Sequence, residues 1–84
     1  MTKAKNIWVV DDDRSIRWVL DRALTKQGHQ CTCFETGESL LRKIQTQKPD
    51  VIISDVRMDG MDGLELLGRV QTAHPDIPVI IRRI

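Results

Sequence analysis

The chain has 84 residues, a formal net charge of +1, 40% hydrophobic and 30% charged side chains, which is enough for one small domain and too little for a second hydrophobic core. The balance of 13 Lys and Arg against 12 Asp and Glu argues against a dedicated binder of nucleic acid or membranes, which needs a basic patch; the pair Arg82-Arg83 reads as solvated rather than functional. No basic leader precedes an apolar stretch and no run is long enough to cross a bilayer, so a cytoplasmic protein is expected.

Asn6 leads into Ile7-Trp8-Val9-Val10, a strand that stops where Asp11, Asp12 and Asp13 disfavour further sheet pairing. From Ser15 onward, Ile16, Val19, Leu20, Ala23 and Leu24 recur at helical spacing, with Arg17, Asp21, Arg22 and Lys26 opposite and Gly28 placed to end the helix. Trp18 flanks that stripe and is expected to cover the core. Cys31 to Phe34 predicts a second strand, and Thr36 the N-cap of a helix carrying Leu40, Leu41 and Ile44 on one face.

Lys48-Pro49-Asp50 breaks that helix and delivers the chain into Val51 to Ser54, which lacks polar alternation and predicts a strand buried on both faces at the sheet centre. Val56 to Gly63 reads as a loop, followed by a third helix with Leu64, Leu66, Leu67 and Val70. Pro75 and Pro78 bracket the next turn, and Ile77 to Ile81 predicts a fourth strand. Strands alternating with helices imply an α/β fold with a parallel sheet. Cys31 and Cys33 fall on one face of their strand and read as packed thiols; with His29 and His74 showing no pairing pattern, no zinc site is expected.

The aspartates point to chemistry. In a parallel sheet the carboxyl ends of the strands share one edge, so Asp11 and Asp12 after the first strand and Asp55 after the third are expected to converge there. Two like charges about 4 Å apart repel by about 4 kcal/mol at an effective dielectric near 20. A bound proton or a divalent cation must offset this, and a small set of oxygen-only ligands favours Mg²⁺. Such a site suits phosphoryl transfer, with Asp55, alone at the exit of the central strand, as the nucleophilic acceptor and Asp11 and Asp12 as metal holders. A plainer reading has Asp11 to Asp13 only capping the first helix, through Asp13 or Ser15, but it leaves Asp55 at the same edge unexplained. Asp59 and Asp62 lack the ligand spacing and terminal glutamate of a calcium loop.

Four segments carry a resemblance: Ile7 to Asp13, Ser15-Ile16-Arg17-Trp18-Val19-Leu20, Ser54-Asp55-Val56-Arg57-Met58 and Gly60-Met61-Asp62-Gly63-Leu64. Together they resemble the receiver domain of bacterial two-component response regulators, most closely the nitrogen-regulation NtrC type. The resemblance implies a flavodoxin-like (CheY-like) doubly wound parallel sheet of strand order 2-1-3-4-5. It implies that Asp55 accepts a phosphoryl group from a sensor histidine kinase, that Asp11 and Asp12 bind Mg²⁺ with Asp55, and that the backbone carbonyl of Arg57 completes the protein ligands.

Against the family's pattern, Asp59 stands where proline is usual, which is expected to loosen the loop and add charge near the site. Arg83 occupies the position of the switch Thr or Ser. Residues 1–84 are expected to form a partial receiver domain truncated after the fourth strand, with strands 1 to 4 and helices 1 to 3, lacking the essential Lys and the ATPase and DNA-binding domains. That leaves Val79-Ile80-Ile81 as an exposed apolar edge, so self-association and poor autonomous stability are expected. Two alternatives stay open: an inherited but idle interaction fragment, and a Mg²⁺-dependent phosphatase, which would need a general acid where Arg57 stands.

Overall fold

The computed structural model describes residues 4–82. Seven elements alternate along the chain: β1 (Asn6–Val10), α1 (Arg14–Lys26), β2 (Gln30–Phe34), α2 (Gly37–Ile44), β3 (Val51–Asp55), α3 (Gly63–Ala73) and β4 (Val79–Arg82). Each helix begins on a side chain that accepts the backbone N–H groups its first turn leaves free. Asp13 caps α1 through Ser15 and Ile16, Thr36 caps α2 through Ser39, and Asp62 caps α3 through Glu65. After α1 the chain turns at Gly28, whose φ of +90° favours a residue without Cβ.

The strands form one parallel sheet in the order β2-β1-β3-β4. The chain moves outward from β1 to β2, then returns past β1 to β3, so the order reverses between β1 and β3. In open α/β sheets, that reversal opens a crevice at the carboxyl ends of the two strands. Register places Trp8 opposite Ile52 and Val10 opposite Ser54, so the two strands end level with each other.

The main core lies between one sheet face and the helices α2 and α3. Trp8, Val10 and Ile52 meet Leu40, Ile44, Leu66, Val70, Met61 and Ile77 there, with Phe34 tilted against Trp8 at 5.0 Å between ring centroids. On the opposite face, α1 packs against β1 and β2, and the Cys33 thiol reaches the carbonyl of Arg17. The Cys31 and Cys33 Sγ atoms stand 3.9 Å apart, as same-face neighbours in a strand should.

Several expectations need correction. The fourth strand begins at Val79, not Ile77: Pro78 has no N–H to give the ladder, and Ile77 is instead buried in the turn, where its N–H donates to the His74 carbonyl. Trp18 does not cover the core. It is 61% exposed, with the Arg22 guanidinium 5.0 Å from its ring centroid, a surface cation–π pair one helical turn apart. No residue of α1 is fully buried. Val51 and Ile53 are only half-buried, so β3 is fully covered on the α2–α3 face alone. Arg83 lies outside the described residues.

Candidate phosphoacceptor and metal site

Asp11, Asp12 and Asp55 converge: one carboxylate oxygen from each lies within 4.8 Å of the other two. The first two follow β1 and the third ends β3, so the adjacency of those strands is what assembles the cluster. The three differ in setting. Asp11 is only 1% exposed, Asp55 is half-buried and Asp12 is open to solvent.

Asp11 is held on every side. Its N–H donates to the Phe34 carbonyl, its carbonyl accepts from Arg17 Nη1 at 2.6 Å, and its Oδ1 accepts from the Asp13 N–H at 2.8 Å. Oδ2 accepts from Arg82 Nη2 at 2.9 Å. Arg82, read from sequence as half of a solvated pair, is therefore ion-paired with a buried carboxylate. No feature of composition signalled this; parallel pairing of β3 with β4 sets Arg82 opposite Asp55 and so at the same edge as the cluster.

The three consecutive aspartates divide their work. Asp13 turns away to cap α1, while Asp11 and Asp12 face the cluster, so the capping reading holds for one residue of the three. Asp12 Oδ2 accepts from the backbone N–H of Asp59 at 3.3 Å. A proline at position 59 has no such hydrogen, so the departure that promised a looser loop also supplies a tie between that loop and the site. Arg57 follows Asp55 by two residues, in the same loop, with its side chain exposed.

Gly63, read from sequence as the end of a loop, instead opens α3 and packs against the acceptor strand. A Cβ there would collide with the backbone oxygen of Asp55, and the Gly63 N–H donates to the Val56 carbonyl at 3.0 Å. The start of α3 is thus pressed against the end of β3. Ser54, fully buried, donates its hydroxyl to the Asp55 carbonyl at 2.9 Å and fixes the strand end from within.

An oxygen-only set of carboxylates suits a hard divalent cation and does not suit zinc or copper. Among the described residues no helix is long and apolar enough to cross a membrane.

Residues 7–82 match the family model described as the response regulator receiver domain. The chain is 58% identical over 74 residues to the DNA-binding transcriptional regulator NtrC of Klebsiella pneumoniae, covering 88% of this chain and 16% of that protein. It is 39% identical over 79 residues to the transcriptional regulatory protein GlrR of Escherichia coli K12, covering 94% of this chain and 18% of that protein. The chain therefore spans less than a fifth of the length of these curated relatives. Among solved structures, the BeF3-activated receiver domain of nitrogen regulatory protein C superposes with a TM-score of 0.84 at 51% identity, over 99% of this chain and 67% of that one. The Thermotoga maritima response regulator TrrA, solved in complex with Mg²⁺ and BeF, gives 0.90 at 34% identity, over 94% of this chain and 69% of that one. With the acidic cluster at the reversal between β1 and β3 and a family match over nearly every described residue, the chain belongs to the response regulator receiver domain family, with NtrC regulators among its relatives.

Proposed function

We propose that this chain is the phosphoacceptor module of a two-component phosphorelay, in which Asp55 takes a phosphoryl group from a sensor histidine kinase. The observation that carries this reading is the meeting of Asp11, Asp12 and Asp55 within 4.8 Å at the strand ends. Residues 1–84 act as one unit, and the regulator served is an NtrC-like one controlling nitrogen-responsive transcription, by likeness to its relatives.

A carboxylate oxygen of Asp55 attacks phosphorus in line, the bond from phosphorus to the kinase imidazole nitrogen breaks, and that nitrogen takes a proton from solvent. Asp11, Asp12, Asp55 and the backbone carbonyl of Arg57 would hold Mg²⁺. When bound, the cation offsets the repulsion among the carboxylates and the charge on the phosphoryl oxygens. Asp55 is the acceptor because it stands at the tip of a central strand, half-open to an incoming phosphodonor, whereas Asp11 is sealed. The chain turns over no separate substrate; it is modified itself.

Titration with acetyl phosphate or beryllofluoride in Mg²⁺, followed through tryptophan fluorescence, tests this. The wild-type chain is expected to respond saturably and Asp55→Asn not to respond. Silence in both proteins would favour the idle fragment, and steady phosphate release from varied phosphoesters would favour the phosphatase. A second copy of the chain is a further proposed partner: β4 forms an edge of the sheet among the described residues, and Ile80 on it is 54% exposed.

A further inference from the structure

Arg82 is a cationic side chain already seated in the cluster proposed to bind a cation. Its Nη2 lies 2.9 Å from Oδ2 of Asp11, and the other oxygen of Asp11 is taken by the Asp13 N–H. Both oxygens of the most buried carboxylate thus already accept a hydrogen bond, and a cation shared with Asp12 and Asp55 through Asp11 would lie close to the guanidinium, whose like charge opposes it. The Asp13 N–H is held by the turn into α1 and carries no charge, so it does not oppose a cation. The Arg82 bond belongs to a flexible side chain that is 27% exposed and has a route to solvent. Its backbone stays in place meanwhile, because the Arg82 carbonyl accepts from the Val56 N–H and its strand register pairs it with Asp55.

We propose that Arg82 is a tethered counter-ion: its guanidinium occupies the cation's place at Asp11 in the resting chain and must swing out when a divalent cation binds, so Arg82 sets the cation affinity of the site. This rests on the reading of Asp11, Asp12 and Asp55 as a cation site. The guanidinium has two opposed effects. It stabilises the cation-free chain by pairing a buried carboxylate that would otherwise be left uncompensated. It weakens cation binding, because the incoming ion must displace a charge-assisted hydrogen bond. A side chain that only supported the fold would shift both properties in the same direction.

Mg²⁺ titration of the full chain by NMR, comparing wild type with Arg82→Gln and Arg82→Met, separates the outcomes. Binding is read from the amide signals of Asp12 and Asp13, and stability from urea unfolding. The variants are expected to bind Mg²⁺ roughly tenfold more tightly, which is about 1.4 kcal/mol, while unfolding at lower urea without the ion. That ratio is expected to persist in about 0.5 M KCl, where distant charge effects are screened. Equal or weaker Mg²⁺ binding by folded variants would overturn the role of Arg82 and leave the cation site standing. No saturable Mg²⁺ shift in any of the three proteins would overturn both. Should neither variant fold, the wild type still decides: its Arg82 Nε–Hε signal must move on saturation with Mg²⁺, and a signal unchanged at saturation refutes the displacement.

Discussion

At the scale of single residues, Gly63 and Cys31 make the sharpest demands. Any side chain at position 63 must push the Asp55 carbonyl away, since backbone rather than a flexible tip fills the space. Gly63→Ala is expected to cost about 1–3 kcal/mol, as overpacking does, and to weaken the beryllofluoride response by displacing the acceptor strand. Urea unfolding and fluorescence titration of one sample measure both; an unchanged protein would mean that α3 yields freely.

Cys31 is pushed from about 9 up to about 12 by burial first and by the neighbouring Cys33 second, and Cys33 is raised by burial as well. Below about pH 9 the thiol keeps its proton in both folded and unfolded chains, so it adds no pH dependence. Between about 9 and about 12 the unfolded chain releases a proton that the folded chain retains, and stability falls as pH rises. Chemical denaturation across that window is expected to show a shallower decline for Cys31→Ala than for wild type. Identical slopes would remove Cys31 as the source.

Among the elements, α1 shows how one acidic run serves two purposes. Asp13→Ala deletes the N-cap and is expected to lower stability by about 1 kcal/mol while leaving Mg²⁺ binding in place. Asp12→Ala should do the reverse, abolishing Mg²⁺ binding at a smaller cost in stability, since its carboxylate is exposed and its one bond, from the Asp59 N–H, is long at 3.3 Å. If the two variants behaved alike in both measurements, the division of labour within Asp11-Asp12-Asp13 would be wrong. The caps at Thr36 and the apolar spacing of α2 and α3 were legible in the sequence because they are local: the residue that accepts a helix's free N–H groups sits within three positions of them. The exposure of Trp18 was not legible. Its place at the flank of the stripe fits burial or solvent equally, and the choice depends on what packs beside α1.

For the whole molecule, the core is thicker on one face of the sheet, although Ile7 and Val9 are buried outside that main cluster. The α2–α3 face seals Trp8, Leu40, Ile52 and Leu66 completely, while the face bearing α1 leaves Val19 and Ile80 open. A domain of this size holds roughly 4–13 kcal/mol of stability in all. Leu66→Ala, which empties the centre of the sealed face at about 2–5 kcal/mol, is therefore expected to lower the thermal midpoint by roughly 8 °C or more, read by near-ultraviolet circular dichroism. Sedimentation at rising concentration tests self-association: the average mass of wild type should climb, and that of Ile80→Lys, which charges the edge strand, should stay at one chain. A wild-type mass independent of concentration would remove the second copy as a partner.

The sequence by itself determined the alternation of strands and helices, the cap at Thr36 and the acidic strand ends, because each is written in neighbours a few positions apart. It also determined which residues would meet if β1 and β3 lay side by side. Only the tertiary structure decided that they do, that Gly63 has no room for a Cβ beside Asp55, and that Arg82 reaches across to Asp11. Those three facts join residues far apart in the chain, and such contacts are fixed by how the sheet is ordered and how helices pack on it, which no local pattern of side chains encodes.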